Sequence, residues 1–365
     1  MSQELVNELL KLAVENGASD IHIKSGKPAM LRISGTLQEV EMDPISAEVA
    51  RDFVESMIPE RFFKVWEEEG QIDFAYSPEG LGRFRVNGFR QRNTTSIAFR
   101  HVQSQIPTFE DLNIDRALFE PLCKHRDGIV LMCGATGAGK SSTLASMLNW
   151  INDNRDCHVV TLEDPIEYNF VDNKAVFNQR EIGIDTSEYR LGLRAALRQD
   201  PDIIFVGEMR DRVTFETALS AAETGHLVFS TLHAVNVHQA IMRLFEFFPP
   251  EQQEQMRRQV SESIRAVVAQ RLIKAMEGGG RLPVVEILVS DSVTRSVIQE
   301  GDFSKIPSIL EAGGESGSQS FNRDLFRLLQ AGKISKSDAL ATSSNPKALE
   351  MNLKGIFLSE GGIIG

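Results

Sequence analysis

The fold of this chain is decided by one stretch, Gly134-Ala135-Thr136-Gly137-Ala138-Gly139-Lys140-Ser141-Ser142. It matches the phosphate-binding pattern G-x-x-x-x-G-K-[ST]. An apolar run at 128–133 precedes it and predicts a buried strand. After it, residues 144–151 repeat apolar side chains at the spacing of one helix face. The stretch therefore lies between a predicted strand and a predicted helix, which is the context that this pattern requires.

The residue types in this stretch suit a nucleoside triphosphate. Glycines let the backbone turn tightly, so that successive N–H groups point at the β- and γ-phosphates, assisted by the N-terminus of the helix. We expect Lys140 to neutralise the phosphates and the Ser141 hydroxyl to ligate Mg²⁺. A glycine-rich turn with a purely structural role is the alternative, and the full pattern between strand and helix disfavours it.

Composition limits the class of protein. With 365 residues, roughly two domains are expected. The chain is 42% hydrophobic and 25% charged, as in soluble globular proteins. We expect no membrane insertion and no signal peptide, because no apolar run approaches the roughly 20 residues of a span and the N-terminus lacks basic and apolar regions.

The net charge and the cysteines indicate which binding partners and which cellular compartment suit this protein. The formal net charge of −12 argues against a nucleic acid as the main partner, although a local basic pore stays compatible with it. The three cysteines, Cys123, Cys133 and Cys157, form no C-x-x-C pair. We therefore expect neither a disulfide framework nor a structural zinc site, and a reducing cytoplasm fits.

Residues 1–102 predict a small α+β domain. Apolar residues at helical spacing predict a helix that ends near Gly17 and a second around 47–57. Alternation of apolar and polar residues predicts strands at 21–23, 72–76, 83–90 and 95–102 and a hairpin at 30–40. Strands with polar outer faces suit an antiparallel sheet.

The pattern changes after this domain. We expect a linker at 103–115, with a helix that starts at Thr108. Over 116–365, apolar runs alternate with helical patterns, which predicts an α/β domain with a mostly parallel sheet. The predicted strands are 129–133, 158–162, 203–206, 227–232 and 284–289.

Carboxylates follow two of these strands. Because the carboxyl ends of parallel strands meet at the bound phosphates, Glu208 could orient or deprotonate the attacking water. The alternative for Glu208 is a solvated glutamate at a strand end. Glu163 and Asp164 follow the strand at 158–162, and either could hold Mg²⁺ through its water shell.

Two histidines bracket the strand at 227–232. His233, at the carboxyl end, could hydrogen-bond the γ-phosphate or the catalytic glutamate. His226, at the opposite end, is harder to place by geometry. A zinc site needs further ligands that the sequence does not offer.

Three arginines fall on the predicted strands of the small domain. Arg83 and Arg85 share one face of a strand, and Arg100 ends the next strand. They form either a solvated basic face or a set of guanidinium groups that reach a phosphate and stabilise transition-state charge. No acidic partner is evident in the local sequence.

Together these segments closely resemble the secretion-superfamily ATPases, and within them the type IV pilus retraction ATPases (PilT group). The matching segments are the phosphate-binding stretch at 134–141, the family's Asp box at 163–167, its atypical Walker B at 206–211, its His box at 222–233 and the N-terminal segments 18–22 and 82–87. The resemblance covers nearly the whole chain.

The resemblance implies a PAS-like domain at 1–102 joined to a RecA-like ATPase core at 116–365 with a C-terminal helical tail. It implies ATP and Mg²⁺ as cofactors, a ring-shaped homo-hexamer, and a nucleotide site that arginines of the small domain complete. Arg85 and Arg100 are then expected to be catalytic, and Arg83 and His226 to contact the nucleotide.

The same resemblance implies a motor that drives pilus retraction and twitching motility. It would lie in the cytoplasm, peripherally at the inner membrane at the pilus base, where it would contact the platform protein. A paralogous pilus ATPase is a further expected partner. Neither direct nucleic-acid binding nor membrane insertion is expected.

One segment departs from the family. Retraction ATPases carry Ala-Ile-Arg-Asn-Leu-Ile-Arg-Glu near the C-terminus, and the aligned stretch 293–300 keeps only Arg295, Ile298 and Glu300. An accessory (PilU-like) ATPase, a related secretion or DNA-translocation ATPase and a non-hydrolysing regulator are the alternatives. Intact Lys140 and Glu208 weigh against the regulator. The short N-terminal region and the missing four-cysteine zinc site weigh against an extension ATPase.

Overall fold

The computed structural model describes residues 2–33, 35–102, 105–278, 280–313, 317–355, 358–359 and 362–363. The chain divides into two compact units, Met1–Gln105 with Glu167–Asn169, and Ile106–Ile166 with Phe170–Gly365. The predicted linker at 103–115 begins with two residues that lie outside the described ones, and its limits stay a prediction.

The first unit is built on an antiparallel sheet, as predicted. Its elements are α1 Ser2–Glu15, β1 Asp20–Lys24, β2 Met30–Ile33, β3 Thr36–Glu39, α2 Ala47–Met57, α3 Phe63–Glu69, β4 Gln71–Tyr76, β5 Arg83–Gln91 and β6 Thr94–Val102. The strand order is β3-β2-β1-β6-β5-β4, and every neighbouring pair is antiparallel.

The core of the first unit lies between this sheet and its helices. The Ser46 hydroxyl caps α2 by accepting from Val49 N, and the same helix buries Phe53 and Val54. In β5 the side chains of Phe84 and Val86 are buried while the alternate positions face outward.

The second unit is an α/β domain with a seven-stranded sheet in the order β13-β12-β7-β11-β10-β8-β9. Its strands are β7 Gly128–Cys133, β8 His158–Glu163, β9 Val176–Glu181, β10 Ile203–Val206, β11 Leu227–Leu232, β12 Ile264–Lys274 and β13 Arg281–Val289. All neighbours are parallel except the edge pair β12–β13. The predicted fold class, with a mostly parallel sheet, is confirmed.

Helices cover this sheet and continue beyond it. They are α4 Arg116–Cys123, α5 Lys140–Asn154, α6 Tyr189–Ala196, α7 Arg212–Glu223, α8 Val237–Glu246, α9 Pro250–Ser263, α10 Ser292–Glu300, α11 Ile306–Ala312, α12 Phe321–Gln330, α13 Lys336–Thr342 and α14 Pro346–Leu353. Short strands β14 Leu358–Ser359 and β15 Gly362–Ile363 pair near the C-terminus. None of the helices in the described ranges is long and apolar enough to cross a membrane.

The predicted helix start at Thr108 is wrong. The backbone N–H of Thr108 donates to the Asp111 carboxylate, and Asp111 N donates to the Thr108 hydroxyl, as at a helix N-terminus. The chain nevertheless makes only one turn, because Asn113 adopts a left-handed φ of 54°. Asp115 then caps the next helix, so α4 begins at Arg116.

Candidate active site

The carboxyl ends of adjacent strands bring the predicted residues of the second unit to one edge of the sheet. In the strand order, β7, β11, β10 and β8 are neighbours, and all run parallel. The phosphate-binding stretch follows β7, His233 follows β11, Glu208 follows β10 and Glu163 ends β8. Residues far apart in sequence therefore meet at one edge, as expected for a parallel sheet.

The phosphate-binding stretch (the phosphate loop below) has the backbone that its glycines predict. Gly134, Gly137 and Gly139 have φ values of 156°, 78° and 83°, a region that side chains rarely permit. Helix α5 starts at Lys140, so its N-terminus faces the loop. The Lys140 ammonium donates to the carbonyls of Gly134 at 2.8 Å and Ala135 at 3.1 Å. The loop thus combines exposed backbone, a helix N-terminus and a cation, which together suit phosphate.

Glu208 lies at the centre of a hydrogen-bonded cluster. Its side chain is 15% exposed, and Oε2 lies 2.6 Å from the Arg210 Nε. The other oxygen, Oε1, lies 3.0 Å from the His233 Nε2. The hydrogen bond to Glu208 raises the pKa of the Arg210 guanidinium. The carboxylate is thus oriented by a partner on each oxygen.

The backbone that carries Glu208 is anchored by the neighbouring strand. The hydroxyl of Ser230 donates to the Val206 carbonyl at 2.7 Å, and that of Thr231 donates to the Gly207 carbonyl at 2.6 Å. Both donors lie on β11, beside the strand that Glu208 follows. The exit of β10 is therefore fixed by side chains as well as by the sheet.

Glu163 and Asp164 occupy different environments at the end of β8. Glu163 is 7% exposed, and its Oε1 accepts from the Thr161 hydroxyl at 2.7 Å and the Gln179 amide at 3.1 Å. Asp164 is 42% exposed and lies 4.0 Å from Arg210. Arg210 therefore stands between the carboxylates of Glu208 and Asp164.

His226 lies at the amino ends of the parallel strands, opposite to the carboxyl ends where the phosphate loop lies. It precedes β11, whose Leu227 is in register with Gly128 at the start of β7, whereas the phosphate loop follows the end of β7. A six-residue strand spans roughly 20 Å. The His226 Nδ1 contacts the carbonyl of Ala221 at 2.9 Å. Within one chain, His226 cannot reach a nucleotide at the loop, so the expected contact finds no support in this geometry.

The three arginines lie in the first unit, and acidic partners come from neighbouring strands. Arg100 Nε lies 2.8 Å from Asp20 on β1, and Arg85 lies 3.8 Å from Asp73 on β4. These partners are not evident in the local sequence, because pairing between strands brings them to Arg85 and Arg100. Arg85 and Asp73 are 44% and 59% exposed, so their pair is of the weak surface kind. Arg100 is 69% exposed, but its partner Asp20 is only 13% exposed.

Arg83 lies on the same strand as Arg85, two residues away, and is half-buried. Arg85 is directly opposite Arg100 in the β5–β6 register. The two arginines thus occupy directly opposed positions on neighbouring strands, and each is paired with an aspartate of a further strand.

Two residues near the carboxylates escaped the sequence analysis. Arg210 contacts Glu208, and its spacing of two residues from that glutamate was the signal available. Tyr189 begins α6, and its hydroxyl lies 2.9 Å from the position that a Cβ on Gly207 would take. Burial raises the pKa of the Tyr189 hydroxyl, and the nearby Asp164 carboxylate adds to this. No local pattern indicates this contact.

Comparison with known proteins agrees with this geometry. The family model described as "Type II/IV secretion system protein" matches residues 1–324. The Pseudomonas aeruginosa type IV pilus ATPase PilU is 37% identical over 347 residues, covering 95% of this chain and 91% of that protein. The retraction ATPase PilT of the same organism is 38% identical over 342 residues, covering 94% and 99%.

Solved structures agree as well. A crystal structure of the pilus retraction motor PilT with bound ADP superposes with a TM-score of 0.86 at 41% identity, covering 94% of this chain and 98% of that one. The Legionella pneumophila ATPase DotB gives a TM-score of 0.79 at 27% identity, covering 97% and 96%. The phosphate loop, the clustered carboxylates and these full-length matches place the chain in the family of type II/IV secretion system proteins.

Proposed function

We propose that this chain is a motor ATPase that couples ATP hydrolysis to type IV pilus retraction and twitching motility. The observation that carries the proposal is the full-length match to the retraction ATPase PilT, in sequence and in structure. A Neisseria gonorrhoeae twitching motility protein is also 36% identical over 320 residues. The arrangement of Lys140, Glu208 and His233 at one sheet edge supplies the groups that hydrolysis needs.

The phosphate loop would bind ATP, with Mg²⁺. Its N–H groups and Lys140 would hold the phosphates. The Ser141 hydroxyl and the carboxylates of Glu163 and Asp164 are hard oxygen donors of the kind that Mg²⁺ prefers. When bound, the ion would neutralise charge between the β- and γ-phosphates. Glu163 and Asp164 would act through the water shell of the ion.

Glu208 would orient and deprotonate the attacking water. The Arg210 guanidinium holds Oε2 and so helps to fix the orientation of the carboxylate, which a general base needs. The contact of His233 with Oε1 would fix the plane of the carboxylate and place an imidazole near the γ-phosphate. Because Arg210 also approaches Asp164, it would hold the two carboxylate-bearing loops together.

We further propose that Arg85 and Arg100 act on the transition state. The exposed ion pair of Arg85 with Asp73 contributes little stability, so phosphate oxygens could replace that carboxylate at small cost. Arg100 is itself 69% exposed, although its partner Asp20 is 13% exposed. A guanidinium bridges two oxygens in a fixed fork, which an ammonium group cannot reproduce. Arg83, on the same strand, would contact the nucleotide.

Arg85→Lys and Arg100→Lys are each expected to lower kcat strongly while changing ATP affinity little. Steady-state hydrolysis and ATP binding measure the two effects separately. Arg32→Lys is the matched control, because Arg32 also lies close to Asp20, at 3.9 Å. Arg32 approaches Asp20 from β2, the neighbour of β1 on the side away from β6. Full activity in both Arg85→Lys and Arg100→Lys would contradict the role.

We propose a homo-hexamer as the working unit, as the family and the two-unit chain suggest. Light scattering in the presence of ATP is expected to give six times the chain mass of 40.6 kDa. The Glu208→Ala variant is used because it is expected to leave ATP intact during the measurement. Monomers alone at micromolar concentration would contradict the ring.

We place the motor in the cytoplasm, attached peripherally to the inner membrane at the pilus base. The platform protein of the pilus would be its partner there, and a paralogous pilus ATPase a second one. The net charge of −12 disfavours DNA as the translocated substrate of this chain.

An accessory, PilU-like role is the second candidate, and the departing stretch 293–300 is the observation that favours it. PilU matches at nearly the same identity as PilT. The departing stretch 293–300 lies on α10, where Val293 is 57% exposed and Arg295 is also on the surface. A deletion strain separates the roles. A main motor leaves pili extended and unretracted when deleted, whereas an accessory ATPase leaves retraction running.

A further inference from the structure

We propose that Gln270 is a positioning residue for the phosphate loop. Its side-chain amide would hold the peptide between Ala138 and Gly139 in the orientation that binds phosphate. Gln270 lies on β12, outside every motif of the sequence. The inference rests on the proposed function, since it deepens the nucleotide site of the same loop.

Strand pairing brings Gln270 beside the loop. β12 runs parallel to β7, with Ala269 in register with Cys133, so Gln270 lies next to Gly134. Its side chain is 2% exposed. The Gln270 Nε2 donates to the Ala138 carbonyl at 2.8 Å, and its Oε1 accepts from the Thr143 hydroxyl at 2.9 Å. One buried amide thus joins the end of the loop to the first turn of α5.

The bond to Ala138 has a consequence for the next N–H. The Ala138 carbonyl and the Gly139 N–H belong to one planar trans peptide, so they point in opposite directions. Holding the carbonyl against β12 therefore turns the Gly139 N–H away from β12. N–H groups at the start of a helix are the phosphate donors of such loops. Without the amide, the buried Ala138 carbonyl loses its partner and the peptide can rotate.

The loop glycines fit closely around the same residue. A Cβ on Gly134 would lie 2.6 Å from the Gln270 carbonyl oxygen, and one on Gly139 would lie 2.9 Å from the Gln270 Nε2. Both distances are too short for a side chain. Gln270 is therefore packed against the first and last glycines of the loop, and its position and theirs depend on each other.

The test compares two buried glutamines. Gln319 is 7% exposed, and its Nε2 donates to the Val285 carbonyl at 3.3 Å, so Gln319→Met is the matched control for Gln270→Met. Calorimetric titration with ADP and Mg²⁺ is made at a temperature where circular dichroism shows both variants folded. We expect about tenfold weaker ADP binding in Gln270→Met, and wild-type affinity in Gln319→Met. We also expect a raised KM for ATP with a smaller change in kcat.

Wild-type ADP affinity in folded Gln270→Met would overturn the inference. Failure of the wild-type chain to bind ADP would instead overturn the proposed nucleotide site, so the two failures are distinct. Should Gln270→Met not fold, Thr143→Val decides. This substitution keeps the side-chain volume nearly constant and removes the Thr143 hydroxyl. That hydroxyl donates to the Gln270 Oε1 and so leaves the Nε2 to face Ala138. We expect ADP binding about threefold weaker in that variant, and unchanged affinity would overturn the inference.

Discussion

Replacing Glu208 by alanine is expected to lower ATP turnover about 10²- to 10⁴-fold, the usual range for loss of a general base. Binding of ATP is expected to persist, because the phosphate loop and Lys140 do not depend on this carboxylate. Turnover is expected to fall because Arg210 and His233 each hold one oxygen of Glu208, which orients this carboxylate to act as the base. Single-turnover hydrolysis and ATP binding, measured on the same preparation, separate the two effects.

The matched control for this variant is Glu216→Ala. Glu216 lies on α7 and forms an exposed ion pair with Arg212. Its loss is expected to leave turnover unchanged, since surface pairs of this kind contribute little. Near-wild-type turnover in Glu208→Ala would remove the assigned base.

Replacing Lys140 by alanine is expected to weaken ATP binding roughly ten- to hundred-fold, the effect of losing a charged hydrogen bond. Turnover should fall as well, because the same ammonium neutralises the phosphates in the transition state. The contacts of Lys140 with the carbonyls of Gly134 and Ala135 show that its amino group lies within the loop. Calorimetric titration with ATP and steady-state hydrolysis measure both losses.

Lys305→Ala is the control here, since Lys305 forms an exposed pair with Asp302 in the same unit. The two active-site variants are expected to differ in whether ATP binding survives. Glu208→Ala should bind without turning over, and Lys140→Ala should do neither well. A Lys140→Ala variant that binds ATP like the wild type would contradict the role of the loop.

Local patterns predicted much of the fold. Helix α2 and strands β10 and β11 begin and end at the predicted residues, because apolar patterns in the sequence mark all three. Strand β12 was missed for a physical reason. Ser263 ends α9 and Ile264 begins β12, with no glycine or proline between them, so nothing local separates helix from strand.

Edge strand β9 was missed for a different reason. Its side chains are largely polar and only partly buried, so it lacks the apolar run that marks the central strands. Helix α3 is short, and its one buried side chain is Trp66. Elements that bury little apolar surface leave a weak signal in the sequence.

The same distinction separates the site residues that the sequence predicts from those that it does not. The phosphate loop and Glu208 could be found from the sequence, because each lies at a strand end that local pattern predicts. The partners of these residues could not, since Gln270 reaches the loop through the β12–β7 pairing and Asp20 reaches Arg100 through the β1–β6 pairing. Cross-strand contacts depend on the topology, which local patterns do not contain.

The most direct test of the account is pilus retraction itself. A deletion strain is complemented with the wild-type chain or with Glu208→Ala at equal abundance, and the shortening of labelled pili is counted in single cells. If this chain is the retraction motor, the wild type restores retraction and Glu208→Ala leaves pili extended, because the variant binds ATP without hydrolysing it. Retraction at the wild-type rate in the Glu208→Ala strain would contradict the account.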